Sequence, residues 1–444
     1  MAIERLLKRL ERIDPIKVRG RITQVVGLVI EGKGIPMAVG DICRIVDRGG
    51  RVQTVAEVVG FRRDSFLMMA LGPTSGLAPR GLVEPVGRKA SVPVGWGLLG
   101  RVIDPLGEPL DGKGAVEAEA HYPLYSEPIN PLLRRQITEP LDVGIRAMNG
   151  LLTCGKGQRV GIMAGSGVGK STLLGMIARY TKADVIVIAL IGERGREVKE
   201  FIERDLGEGL KRAVVVVATS DRSPLIRMRG AFVATAIAEY FRDQGKDVIL
   251  LMDSLTRFAM AQREMGLSIG EPPTRKGYTP SVFATLPRLL ERAGAVEGKG
   301  SITGFYTVLV ENDDLEDDPI ADSSRAILDG HIVLSRQLAS QGCYPAVDVL
   351  RSLSRVMPNV VPRRQLELSR IFVETMGTYK QYEDIVTIGA YNRGSNKKLD
   401  YALEKLEAML SYIRQDREEK VDLETSLKEL EDLFGDHKAQ DETG

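Results

Sequence analysis

Hydrophobic positions along the chain change their period several times, and each change marks a new part. Ile3, Leu6, Leu7, Leu10 and Ile13 fall on one helical face, with Glu4, Arg5, Lys8, Arg9, Glu11 and Arg12 around it. This pattern predicts an amphipathic helix, packed on its own domain or docked on a partner. From about Val18 the period shortens. The runs 18–30, 41–46, 51–59 and 65–71 are rich in Val and Ile, and Gly32, Gly34, Gly49-Gly50 and Gly72-Pro73 punctuate them. Short strands joined by tight turns with no helix between them predict a small closed β-barrel. Gly and Pro dominate residues 82–131, which read as a connecting region. Residues 142–355 then alternate near-continuous apolar runs (160–163, 185–191, 214–219, 248–252 and 302–310) with helical stretches. That alternation predicts a parallel sheet covered on both faces. Ser223-Pro224 starts one of the helices as N-cap and first-turn proline, and it runs to Gly245. Beyond about Pro362 the strands stop. Leu399, Leu403, Leu406, Leu410 and Ile413, and later Leu423, Leu427, Leu430 and Phe434, recur at helical spacing and predict a small helical domain with a frayed tail.

Composition narrows the class. The 444 residues suggest two to four domains, and 43% hydrophobic with 27% charged residues is ordinary for a globular protein. A net charge of +1 gives no general attraction to nucleic acid or to an acidic membrane. Cys43, Cys154 and Cys343 are far apart and read as reduced core thiols of a cytosolic protein. The start lacks the apolar segment of a signal peptide, and no apolar run approaches the length of a membrane span, so any membrane association is expected to be peripheral. The three histidines are scattered and form no metal-ligand set.

The candidate chemistry begins at residues 164–172, AGSGVGKST, between an apolar strand and a helix. This is the order of a phosphate-binding loop. Gly165, Gly167 and Gly169 let backbone N–H groups turn inward around a polyphosphate. Ala164 stands where the strict motif has glycine, and Ser166, Val168 and Thr172 complete the cradle. Lys170 is placed to reach the β- and γ-phosphates and Ser171 to hold Mg²⁺, while the helix N-terminus adds its positive end. An apolar strand ending in Asp253 supplies a carboxylate for the Mg²⁺ water shell, although such an aspartate is also a common structural cap. After another strand, Gly192-Glu193-Arg194-Gly195-Arg196-Glu197 should lie beside the phosphates. Hydrolysis requires a group that orients and polarises water. Glu193 is nearest the strand end; Glu197 is its rival, with a surface ion pair to Arg194 or Arg196 as the alternative. Arg257, one helical turn beyond Asp253, is either near a γ-phosphate or a solvated helix residue.

These residues resemble a family. AGSGVGKST, IGERGREVKEF, the stretch from LLMDSLTRF to LLERAG, GSITGFYTVLVENDD, ILDGHIVLSRQLA and YPAVDVLRSLSRVMP are similar to the type III protein-export ATPases, relatives of the rotary ATP synthase catalytic subunit. The likeness runs from about Arg19 to Asn396, and GSITGFYTVLV looks more like the flagellar than the virulence-secretion branch. The resemblance implies an α/β fold in four parts: a partner-binding helix (1–20), a β-barrel (21–86), a RecA-like P-loop ATPase domain with a mainly parallel sheet (87–362) and a C-terminal helical domain (363–444). It implies ATP and Mg²⁺ as ligands, a homohexameric ring, and Glu193 as the catalytic carboxylate. Arg194 and Arg257 match family positions beside the phosphates. Tyr344 matches the aromatic that stacks on adenine, the alternative being a core tyrosine. Arg355 matches an arginine finger inserted into the neighbouring subunit's site. Implied partners are a stalk-like regulatory subunit at the variable N-terminus, a central coiled-coil stalk protein, export-gate membrane proteins, and export chaperones with their substrates. The implied location is the cytoplasm, against the inner face of the membrane. The expected function is ATP hydrolysis energising export. Alternatives are an injectisome ATPase, a rotary ATPase subunit, a non-hydrolysing binding module, or, in a different class, an RNA translocase with an N-terminal barrel. The last predicts exposed aromatics and a basic face on the barrel, where residues 20–80 offer only Phe61 and Phe66 amid mixed charges; no nucleic acid is expected.

Overall fold

A computed structural model describes residues 18–47, 49–310 and 315–435. The expected N-terminal helix lies almost wholly outside the described residues, and the expected frayed tail lies outside them. The chain divides into two compact units, residues 1–90 with Glu264–Pro272, and the remainder.

In the first unit six antiparallel strands close into a barrel: β1 (Gly20–Val26), β2 (Val29–Lys33), β3 (Asp41–Val46), β4 (Val52–Arg62), β5 (Ser65–Ala70) and β6 (Leu82–Lys89), in the order β1-β2-β5-β4-β3-β6. Side chains two apart share a face of a strand, so Cys43 and Ile45, Ala56 and Val58, and Phe66, Met68 and Ala70 all point inward and fill the barrel with Ile22, Ile30 and Val83. Gly32 belongs to this packing: a Cβ there would sit 2.3 Å from the Phe66 ring. Phe66 is therefore core, whereas Phe61 is exposed. β6 closes the barrel on β1 through Gly20↔Val83 and Arg21↔Leu82. Residues 82–131 are thus more than a connection. Pro85 and Gly87 disguise β6 as loop, yet β6 pairs with β3 along most of its length.

The second unit is built on a nine-stranded sheet. Its order is Val347–Ser354, Gly330–Leu334, Arg159–Ala164, Ser301–Leu309, Asp247–Asp253, Val185–Ile191, Ala213–Ala218 and Arg101–Ile103, with Gly294–Ala295 paired on Ser301–Leu309. All pairs are parallel except the edge strand Val347–Ser354 and Gly294–Ala295. Val185–Ile191 and Ala213–Ala218 are buried at every position, as strands covered on both faces must be. The three-residue strand Arg101–Ile103, drawn from the Gly/Pro-rich stretch, extends the sheet at its far edge. The helix Pro224–Asp243 lies against Val185–Ile191 and Asp247–Asp253. Ser223 stands at its N-cap, but the hydroxyl is buried without a hydrogen-bond partner, so Pro224 rather than a side-chain cap sets the start. Helices Arg363–Thr387, Lys397–Ile413 and Leu423–Phe434 meet where Phe372 packs on Tyr412 and Phe434, with ring centroids 5.7 and 5.9 Å apart. The buried spine of Lys397–Ile413 is Leu399, Ala402, Met409, Tyr412 and Ile413; Leu403, Leu406 and Leu410 are only partly covered. Among the described residues no helix is long and apolar enough to cross a membrane.

Candidate functional site

Parallel strands bring their carboxyl ends to one rim, where open α/β sheets place their ligands. Three neighbouring parts of the sheet meet there. Arg159–Ala164 leads into the glycine loop and the helix Lys170–Tyr180, Asp247–Asp253 ends in its aspartate, and Val185–Ile191 runs into Gly192-Glu193. Gly167 and Gly169 adopt φ of +79° and +91°, left-handed values that a side chain at either position would strain. Ala164 is a buried strand residue whose carbonyl accepts from Val310 N at 3.0 Å, so its methyl group belongs to the core. Val168 is buried, and Ser166, Gly167 and Ser171 are exposed, with Thr172 half-buried. The loop is therefore open to a ligand on one side and packed on the other.

Lys170 Nζ is ion-paired with Asp253 Oδ1 and lies 3.7 Å from Glu193 Oε1. Thr307, carried by the strand between those of the loop and Asp253, donates its hydroxyl to Asp253 Oδ1 at 2.7 Å. Asp253 is 3% exposed. Burial pushes the Glu193 carboxyl up to about 7; the Asp253 charge and a hydrogen bond to Glu197 reinforce this, and Lys170 opposes it. Glu197 accepts that hydrogen bond and one from Arg194 N at 3.3 Å, and is held below the usual glutamate value. The site thus contains a carboxyl that exchanges its proton near neutrality, 3.7 Å from a lysine on a phosphate-type loop. Such a group can orient water and accept its proton.

Two arginines flank this group on either side of Glu193. Arg194 extends into solvent, its side chain 81% exposed and 3.7 Å from Glu197. Arg257 lies over Gly192, where a Cβ would come within 2.9 Å of it, and its Nε is buried without a partner. Tyr344 is no core tyrosine: it is 46% exposed, and its ring carbons lie 3.4 Å from where a Gly169 Cβ would stand. Beside it a cavity of about 730 Å³ is lined by Gly169, Thr172, Tyr344, Arg414, Gln415 and Arg417. Nothing in the sequence pattern singles out Thr307 or residues 414–417; the latter enter because Gln415 N donates to Tyr344 O at 2.8 Å.

Arg355 lies at the other end of the sheet. Its N–H donates to Asp329 O at 3.0 Å, and Asp329 N donates to Arg159 O, at the start of the loop strand. Five residues of strand, about 16 Å, separate Arg159 from Ala164. Arg355 is exposed and cannot reach its own phosphate loop.

This geometry agrees with what the chain is similar to. Family models match at residues 22–87 (ATP synthase alpha/beta family, beta-barrel domain), 144–354 (the same family's nucleotide-binding domain) and 361–432 (T3SS EscN ATPase C-terminal domain). The chain is 52% identical to the flagellum-specific ATP synthase of Bacillus subtilis, over 99% of this chain and all of that one. It is 50% identical to the type 3 secretion system ATPase of Xanthomonas euvesicatoria over 94% of each. The assembled ATPase EscN of the enteropathogenic E. coli type III secretion system superposes with a TM-score of 0.88 at 45% identity, covering 93% of this chain and 99% of that one. EscN in complex with its central stalk EscO gives a TM-score of 0.85 at 44% identity, with the same coverage. The chain therefore belongs to the ATP synthase alpha/beta family, in the branch of flagellum-specific ATP synthases and type III secretion system ATPases.

Proposed function

We propose that this protein hydrolyses ATP with Mg²⁺ in a homohexameric ring that energises type III, flagellar protein export at the cytoplasmic face of the membrane, unloading chaperone-bound substrates at the export gate. The observation that carries the reading is the convergence of Lys170, Glu193 and Asp253 beside the glycine loop. Lys170 leaves Asp253 for the γ-phosphate when ATP enters, exchanging one anion for another. Glu193 orients the attacking water and takes its proton, and the backbone of residues 164–172 cradles the phosphates. Tyr344 stacks on adenine at the mouth of the 730 Å³ cavity. Arg355 completes the site of the next subunit, because it is too far from its own.

The residues fit a magnesium ion. Among the described residues no group of three or more His, Cys, Asp or Glu is arranged for a metal, and magnesium needs none, since it keeps several waters and binds through one or two carboxylates plus phosphates. The exposed Ser171 hydroxyl and the Asp253 carboxylate, held by Thr307, offer that all-oxygen set. Bound there, the ion neutralises charge on the β- and γ-phosphate oxygens.

Assembled EscN and its complex with EscO support the ring and a stalk partner for this chain. Similarity to flagellum-specific ATP synthases from several bacteria supports flagellar duty. The test is complementation: the gene should restore filament assembly in a cell lacking its flagellar export ATPase, and Lys170→Ala should not. Purified Lys170→Ala should lose about 10²–10³-fold in turnover, the usual cost of one preorganised electrostatic donor. Normal turnover in that variant would sink the reading. Tyr344→Ala should raise KM for ATP about tenfold or more and leave kcat within a few-fold, because base stacking is worth about 1–3 kcal/mol. An unchanged KM in steady-state assays would remove Tyr344 from the base site.

A further inference from the structure

An arginine that works in another subunit needs a fixed backbone and a head held weakly enough to be released, and Arg355 has both. Asp329 supplies the first. Its carboxylate accepts from Arg159 Nε and Nη2, each at 3.0 Å, and from Arg159 N at 3.0 Å. Asp329 N donates back to Arg159 O at 2.9 Å. A bidentate arginine–carboxylate pair closed by two backbone bonds fixes direction as well as distance. Asp329 is thereby bolted to the first residue of the strand that carries the phosphate loop. Its carbonyl in turn accepts from Arg355 N at 3.0 Å.

The head of Arg355 is held differently. Nη1 donates to Leu328 O at 3.1 Å and Nη2 to Arg325 O at 3.4 Å, carbonyls at the C-terminal end of the helix Pro319–Ile327. Among the described residues it has no carboxylate partner. Neutral carbonyls hold a guanidinium less strongly than a phosphate does, so an incoming phosphate can draw the head away while the backbone stays. Asp329 spends its charge on Arg159 and leaves that of Arg355 unneutralised.

We propose that Asp329 is a positioning residue for Arg355, setting where the finger emerges and so governing turnover in the neighbouring subunit's site without touching nucleotide. The inference rests on the reading of Arg355 as a finger in trans. Loss of the Asp329 carboxylate should spare the fold. Arg159 keeps an ion pair with Glu291 at 2.5 Å, and the strand end keeps Ser354, whose Oγ donates to Thr153 O at 2.8 Å.

The experiment uses the full chain with Asp329→Ala, Arg159→Lys and Arg355→Ala. Asp329→Ala should lower kcat about 10²-fold, the cost of roughly 1 Å of misplacement in a catalytic group. Affinity for a fluorescent non-hydrolysable ATP analogue should stay within about twofold, since the variant's own loop is intact. Arg159→Lys, which keeps the charge but loses the fork, should move kcat in the same direction. The decisive readout is mixing. Asp329→Ala subunits have a sound loop and a misplaced finger, Lys170→Ala subunits the reverse, so mixed rings should regain turnover that neither has alone. Failure of Asp329→Ala to bind the analogue, or failure of mixing to restore turnover, makes Asp329 merely structural and overturns the inference. Full turnover in Asp329→Ala beside a dead Arg355→Ala overturns it while leaving the finger standing. Full turnover in Arg355→Ala removes the finger itself, and the inference with it.

Discussion

Glu193→Gln should bind ATP with nearly normal affinity and lose about 10²–10⁴-fold in turnover, the range that general base catalysis supplies. Glutamine keeps the size and one hydrogen-bonding oxygen but takes no proton from water. Wild-type enzyme should show a matching pH dependence. The Glu193 carboxyl is pushed up to about 7 by burial, by Asp253 and by its bond to Glu197. It is mostly protonated below that value and cannot serve as base, so kcat/KM, which reports the free enzyme, should rise with pH through about 7 and then level off. The Gln variant should lack this limb. Glu197→Gln removes a charge that raises Glu193 and leaves a weaker, neutral acceptor for its proton, so its limb should shift to lower pH while turnover survives within about tenfold. Rate–pH profiles of the two variants separate the carboxylates. A dead Glu197→Gln beside an active Glu193→Gln reverses their roles.

That choice was half legible from the residues. Strand order put both glutamates in one loop and favoured Glu193 only as the one nearer the strand end. The fold ranks their positions: Glu193 leaves the strand toward Lys170, and Glu197 sits a turn into the helix Gly195–Glu200, where it bonds Arg194 N. The five central strands were readable because a strand buried on both faces must be apolar at nearly every position. β6 was not, because Pro85 and Gly87 carry loop chemistry into a strand whose partners lie about forty and sixty residues away in sequence. Arg101–Ile103 is too short to show a period at all. Arg194 and Arg257 illustrate a different limit. Arg194 points into solvent and Arg257 folds over Gly192, next to Glu193, directions that their spacing to the phosphate motifs could not give. Distance along the chain says which loop a side chain belongs to, and packing decides where it points.

Arg355→Ala should cost the most: about 10³–10⁵-fold in turnover, the worth of an arginine finger on a transferring phosphoryl group, with little change in affinity for a non-hydrolysable analogue. The reason is geometric. Arg355 is tied through Asp329 to the beginning of a strand whose other end opens into the phosphate loop, so under the proposed reading the two ends of that strand serve two different nucleotides. Wild-type specific activity should therefore rise with protein concentration as rings form, and a rate independent of concentration would argue against a shared site. Mixing supplies the sharper test. Arg355→Ala subunits with intact loops, combined with Lys170→Ala subunits with intact fingers, should recover a fraction of wild-type activity set by how often the two kinds are neighbours. Each productive site then uses the loop of one parent and the finger of the other, an outcome open only to a residue that acts across the subunit boundary.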